Sequence, residues 1–257
     1  MKRIIATGKG GVGKTTTTST LVTMMAREGK KVLVFDTDPS MNLAMTLGLP
    51  YMEVPTITAH KEEISDHLDD ADDISEIGKE IFEKYSMINS DGVRVVVMGA
   101  IPDGGNGCLC SAISIIKILL NYVESGECEK YDVAIVDSQA GPEILGRGLA
   151  KDFEYNLILT EPTPKSAEVS KQVVSLGTRL GIANNILVIN KSESENDVER
   201  VSSLVGLPKD CAYRVRYDHS VIDADRENIC LLDAFPECDA IMDLSKIKTM
   251  ILNKAES

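Results

Sequence analysis

Between the apolar run RIIAT and a helical pattern beginning at Thr15 stand Gly8, Lys9, Gly10, Gly11, Val12, Gly13, Lys14 and Thr15. Their spacing satisfies GxxxxGK[ST] in the strand-to-helix setting that gives the pattern chemical meaning. Glycines let successive backbone amides turn toward phosphate oxygens, and the following helix presents the positive end of its dipole. Lys14 is expected to reach the β and γ phosphates of a nucleotide and Thr15 to ligate Mg²⁺ through its hydroxyl, with Thr16 belonging to the same site. Asp36 ends the run KVLVF and Asp38 follows in DTDPS, so two carboxylates border the loop. Phosphoryl transfer asks a protein mainly for positioning and charge stabilisation, and this pair can divide the work: one supports the Mg²⁺ shell while the other orients the attacking water. Asp137 closes the apolar run VAIV, a position from which a carboxylate acts on Mg²⁺, usually through water.

Cys108 and Cys110 lie one residue apart in DGGNGCLCSA, beside glycines and ahead of another helical pattern. A buried, hydrophobe-like cysteine fits such a loop poorly, and metal binding fits it better. Thiolates select soft or borderline metals, and a closed site takes four donors. The helix expected from Ser111 to about Glu124 spans roughly 20 Å at 1.5 Å per residue, which carries Cys128 to its far end. Cys211, Cys230 and Cys238 are remote in sequence and have no assigned place. A homodimer supplies the missing donors more simply, because a two-fold axis through the loop gathers two Cys108 and two Cys110 around one ion.

The elements that must hold these residues are short apolar runs alternating with helical patterns: RIIAT, KVLVFD, VRVVVMG, YDVAIVD, NLILT, NILVIN and AYRVR. Several runs are almost continuously apolar, as strands covered on both faces are. The expected fold class is therefore α/β, a mainly parallel β-sheet covered by helices on both faces. In such sheets ligands gather at the carboxyl ends of strands, where the polar motifs fall here. The 257 residues are read as a single domain with an acidic insertion at about 51–90. With no Trp and 4% aromatic residues, Val, Ile, Leu, Met and Ala must fill the core.

The net charge of −13 repels phosphate backbones and anionic lipid, which argues against nucleic acid and membrane as partners. In the C-terminal stretch, Ile241, Leu244, Ile247 and Ile251 recur at helical spacing, the pattern of a helix packed on the core rather than a lipid anchor. The N-terminal apolar run is too short for a signal peptide, and no stretch approaches the roughly 18 apolar residues of a membrane span, so a cytoplasmic protein is expected. In that reducing compartment the six cysteines are not a disulfide framework.

KGGVGKTT, with Lys9 directly after the first glycine, resembles the deviant Walker A motif of the P-loop NTPase class that contains MinD, ParA, the nitrogenase iron protein and the metal-insertion ATPases. The resemblance implies hydrolysis of ATP to ADP and phosphate by a homodimer in which Lys9 crosses to the partner's phosphates, in the manner of an arginine finger. It implies that Asp38 positions the water, so that Lys9, Lys14 and Asp38 carry catalysis. It also implies that Asn190, at the end of ILVIN and followed by Lys191, contacts adenine, with TEP at 160–162 and RYD at 216–218 along the same side.

KGGVGKTT, DTDPS, GCLC, VDSQAGPEILGRG, TEPTPKSAE, NK and RYD occur in the order seen in the CooC-type ATPases, which assist nickel insertion into carbon monoxide dehydrogenase. That resemblance implies Ni²⁺, or Zn²⁺ at the same site, held by Cys108 and Cys110 across the dimer, and an apo carbon monoxide dehydrogenase or related nickel enzyme as partner. Two positions depart from the family: Ser111 follows the second cysteine and Arg216 precedes Tyr217, each where the family has Pro. The alternatives are a MinD- or ParA-like switch and an iron–sulfur reductase resembling the nitrogenase iron protein. The latter takes a cysteine shortly after the strand-end aspartate, and SQAGPEILGRG contains none.

Overall fold

The computed structural model describes residues 1–69, 74–100, 109–151 and 153–253. Its first half runs β1 (Lys2–Gly8), α1 (Lys14–Arg27), β2 (Val32–Asp36), α2 (Asn42–Thr46), α3 (Lys61–Asp69), α4 (Ile74–Lys84), β3 (Ser86–Ile88), β4 (Arg94–Val97) and α5 (Leu109–Ser125). The second runs β5 (Val133–Asp137), α6 (Glu143–Gly146), β6 (Tyr155–Thr160), α7 (Pro164–Arg179), β7 (Asn184–Ser192), α8 (Asn196–Val205), β8 (Ala212–Arg216), α9 (His219–Arg226), α10 (Leu231–Ala234) and α11 (Asp239–Asn253).

The strands form one sheet of order β3-β4-β2-β5-β1-β6-β7-β8, parallel throughout except for the edge pair β3–β4. Each apolar run seen in the sequence is one of these strands, and β2, β5 and β6 are buried along their whole length, which explains their near-continuous hydrophobicity. Alternation along the strands divides the core in two. Ile4, Ala6, Val34 and Ile135 pack under α1, α2 and α11, whereas Ile5, Leu33, Phe35 and Val136 pack under α5 and α7. Ile241, Leu244, Ile247 and Ile251 on α11 belong to the first of these cores, so the apolar face of that helix is spent on the sheet.

The acidic stretch near 51–90 contributes to the second core. Ile57, Ile64, Ile81, Phe82 and Tyr85 are all buried there, and a Cβ at Gly78 of α4 would sit 2.8 Å from the Tyr122 side chain of α5. The strand it adds, β3, pairs antiparallel with β4 and was not foreseen: a three-residue strand is too short to show a period.

Register fixes the site. Asp36 on β2 is paired across the ladder with Asp137 on β5, and Asp137 with Ala6 on β1, two residues before the phosphate loop. Carboxylates and loop therefore leave the sheet together at its carboxyl edge, where β1 leads to β2 on one side and its neighbour β5 leads to β6 on the other.

Candidate functional site

The phosphate loop bridges β1 and α1 with backbone angles that require glycine. At Gly8 (φ 142°) a Cβ would stand 2.2 Å from the Leu159 carbonyl oxygen, and at Gly13 (φ 93°) it would stand 2.4 Å from the Asn190 amide nitrogen. Gly13 occupies the N-cap of α1 and offers no side chain to the first-turn amides. Those amides, together with the helix dipole, form a cradle for an anion. The loop is braced from β7, where Asn190 Nδ2 donates to the Val12 carbonyl at 2.8 Å and Lys191 Nζ donates to the Gly11 carbonyl at 2.8 Å and to Glu161 at 2.7 Å. Lys191 adopts φ 55°, a left-handed conformation that turns its side chain back over the loop.

Lys14 is almost fully buried, and its ammonium donates to the Lys9 carbonyl at 3.3 Å. Burial lowers its pKa below the ordinary lysine value, opposed by the charges of Asp137 and Asp38. Asp137 accepts from Thr15 Oγ1 at 2.8 Å and from Thr18 Oγ1 at 3.3 Å. Burial pushes its carboxyl up to about 6, and the Thr15 hydrogen bond and Lys14 limit the rise. Asp36 accepts from the backbone amides of Asp38 and Leu43 at 3.1 and 3.2 Å, and burial, with Asp137 alongside, pushes it up to about 7. Asp38 is half-buried and held by Ser40, whose amide and hydroxyl donate to the same carboxylate oxygen at 2.9 and 2.7 Å. Its other oxygen carries none of these bonds.

The Thr15 hydroxyl and the Asp36, Asp38 and Asp137 carboxylates put hard oxygen donors and negative charge near the buried Lys14, although the three carboxylates do not converge into a ligand cluster of their own. That donor chemistry fits Mg²⁺. A cavity of about 640 Å³ bounded by Gly10, Lys14, Thr15, Asp38, Ala140 and Asn228 opens beside Lys14, with Asp36 and Asp137 buried behind it. A second cavity of about 320 Å³ shares Gly11, Gly13, Thr16 and Asp225 with it and continues past Asn190, Lys191, Val215, Tyr217 and Leu244. A polar chamber with Lys14 and Asp38 joined to a more apolar one has the form of a site for a nucleotide's phosphates and base.

Of the expected nucleotide residues, the structure brings Gly8, Gly10, Gly11, Val12, Gly13, Lys14, Thr15 and Thr16 together with Asn190, Lys191, Asp36, Asp38 and Asp137. The half-buried Lys9 side chain has no hydrogen-bond or ion-pair partner among the described residues. Arg216 lines the base chamber, but its guanidinium turns into α11 and grips Asp243 at 2.7 and 3.1 Å and Asp239 at 2.6 Å. Sequence reading missed Thr18, which a Thr one helical turn after Thr15 could have signalled. It also missed Asp225 and Asn228, which no local pattern marks.

Cys108 lies outside the described residues. Cys110 stands exposed in the first turn of α5, 2.9 Å from Nη1 of Arg147, just beyond α6. Cys128 follows the other end of that helix, its thiol directed to the Val123 and Glu129 carbonyls. Among the described residues no three His, Cys, Asp or Glu side chains gather as a metal site. No described helix is long and apolar enough to cross a membrane.

A mostly parallel, helix-covered sheet whose first βα connection is a phosphate loop, with aspartates on two neighbouring strand ends, defines an ATPase of the MinD/ParA class. The chain belongs to the CobQ/CobB/MinD/ParA nucleotide binding domain family, whose pattern matches residues 3–232. It is 31% identical to an uncharacterized ATP-binding protein of Methanocaldococcus jannaschii, MJ0823, over 87% of this chain and 88% of that one. It is 26% identical to the carbon monoxide dehydrogenase accessory protein CooC of Rhodospirillum rubrum, over 92% and 91%. Its fold matches the septum site-determining protein MinD of Pyrococcus horikoshii, solved with Mg-ADP, at a TM-score of 0.71 and 24% identity, covering 99% of this chain and 97% of that one.

Proposed function

We propose that this ATPase is a metallochaperone that works as a homodimer and assists nickel insertion into carbon monoxide dehydrogenase or a related nickel enzyme. The observation that carries the reading is Cys110, exposed in the first turn of α5 and one residue from Cys108 in the sequence, in a chain similar to CooC along most of its length. Two protomers facing each other through this end would offer four thiolates to one Ni²⁺ or Zn²⁺, which is cargo rather than a resident cofactor.

Within each protomer the residues have distinct tasks. The loop amides and Lys14 hold the phosphates of ATP, and Asn190, Tyr217 and Val215 border the base. Bound Mg²⁺ would neutralise phosphate charge; Thr15 would hold it, with Asp36 and Asp137 acting directly or through water. Asp38, fixed by Ser40 through one oxygen, presents the other to the attacking water. Lys9 reaches the partner's phosphates and stabilises the charge that develops on the transferred group. Hydrolysis removes that cross-dimer contact and loosens the pair, which changes access to the thiolates.

Metal analysis of anaerobically purified protein tests the reading. Wild type is expected to hold one Ni²⁺ or Zn²⁺ per dimer, and the Cys108→Ala/Cys110→Ala double variant none. A wild type that binds neither ion, or a double variant that binds as before, refutes it. A [4Fe–4S] spectrum lost in the same variant would assign the pair to electron transfer instead.

A further inference from the structure

The segment that begins at Asp137 runs from the wall of the phosphate chamber to a thiol. Asp137 bonds Thr15, Ala140 lines the chamber opposite Gly10, and the Gly141 amide donates to the Gly8 carbonyl at 3.0 Å. The short helix α6 then carries the chain to Arg147, whose guanidinium donates to Cys110 Sγ at 2.9 Å. The same residue is held a second time, because Lys117 Nζ donates to its carbonyl at 2.9 Å. Lys117 and Cys110 are two turns apart on one face of α5, so that helix clamps Arg147 by backbone and side chain together.

We propose that Arg147 is the positioning residue through which the nucleotide site acts on the Cys110 sulfur. The inference rests on the metallochaperone reading for its purpose, though not for its geometry. Gly10 and Ala140 line the chamber, where a terminal phosphate would press on the segment and ATP and ADP would load it differently, and only such a differential contact can bias a conformation. Displacement of the segment moves the guanidinium relative to the sulfur. With Arg147 in place the thiol is oriented and a positive charge stands beside it. A divalent ion ringed by four thiolates carries two surplus negative charges, which the two Arg147 side chains of a symmetric dimer would offset. Outer-shell partners of this kind typically change metal affinity about 10- to 100-fold when removed.

The test uses full-length protein loaded with ADP or a non-hydrolysable ATP analogue. In the absence of metal, the rate at which iodoacetamide labels Cys110, followed by peptide mass spectrometry, should differ between the two nucleotides in wild type. It should become equal in Arg147→Ala and fall between in Arg147→Lys. Zn²⁺ affinity, measured by competition with a chelator, should drop at least about ten-fold in Arg147→Ala and lose its dependence on nucleotide. Because Arg147 is exposed, the variant should melt within about 1–2 °C of wild type. Labelling insensitive to nucleotide in wild type, or a nucleotide difference that persists in Arg147→Ala, overturns the proposal. Nucleotide-dependent labelling in a protein that binds no Zn²⁺ or Ni²⁺ leaves the coupling standing and removes the metallochaperone reading.

Discussion

Two carboxylates on neighbouring strands, both lifted by burial, give the site a measurable signature in stability. Asp36 is held up to about 7 against an ordinary value of 3.8. A native acid with a raised pKa binds more protons than the unfolded chain between those two values, so unfolding free energy falls as pH rises from about 4 to about 7 and then levels off. The shift corresponds to at most about 4 kcal/mol. Asp36→Asn removes the titration but keeps one acceptor for the amides of Asp38 and Leu43. In EDTA, the variant's melting temperature should therefore drop less between pH 5 and pH 8 than that of wild type, by several degrees at roughly 2–4 °C per kcal/mol. A slope identical to wild type would show that Asp36 is not proton-linked. If Asp36 supports Mg²⁺ as proposed, the same variant should also lose ATP hydrolysis.

The elements show which parts of the molecule local sequence could announce. Strand runs, the phosphate loop and the strand-end aspartates were legible because each obeys a spacing of a few residues. Helix α1 was legible as a pattern from Thr15 after the loop although KTTTTST is itself a poor helix former; it is held by burial of Thr17, Thr18, Ser19 and Thr20 and by hydroxyls returned to the Thr16 carbonyl. Contacts across long separations left no mark, among them Arg147 with Cys110 and the clamp of β8 to α11. In that clamp Asp243, almost fully buried, accepts from the Arg216 side chain and backbone and from Lys246 at 2.8 Å. Burial raises its carboxyl, but the Arg216 and Lys246 hydrogen bonds outweigh this and leave it below the ordinary range. Its contribution is thus present above about pH 4 and lost below. Asp243→Ala should cost about 2 to 3 kcal/mol at neutral pH, since Arg216 keeps only Asp239. Thermal denaturation should show a drop of roughly 4–12 °C at pH 7 that shrinks as pH falls below 4. An equal deficit at both pH values would mean that lost packing, not the ion pair, is responsible.

At the scale of the whole molecule the open question is whether one chain contains a complete active site. Lys14, Thr15, Asp36, Asp38 and Asp137 all come from a single protomer, whereas the Lys9 side chain has no partner among the described residues of its own chain. If Lys9 serves the partner, Lys9→Ala and Asp38→Ala should each be inactive alone and should rescue each other when mixed. In a mixed dimer, the phosphates bound by the Lys9→Ala chain receive Lys9 from its companion and water positioned by their own Asp38, while the other site lacks both. Random pairing makes about half the dimers mixed, each with one working site of two, so turnover should return to about a quarter of the wild-type rate. The net charge of −13 on each chain opposes association, so rescue should strengthen as salt rises to physiological ionic strength and the repulsion is screened. A mixture as inactive as its components, under conditions where wild type dimerises, would place Lys9 in its own site and remove the reason why hydrolysis should require two chains.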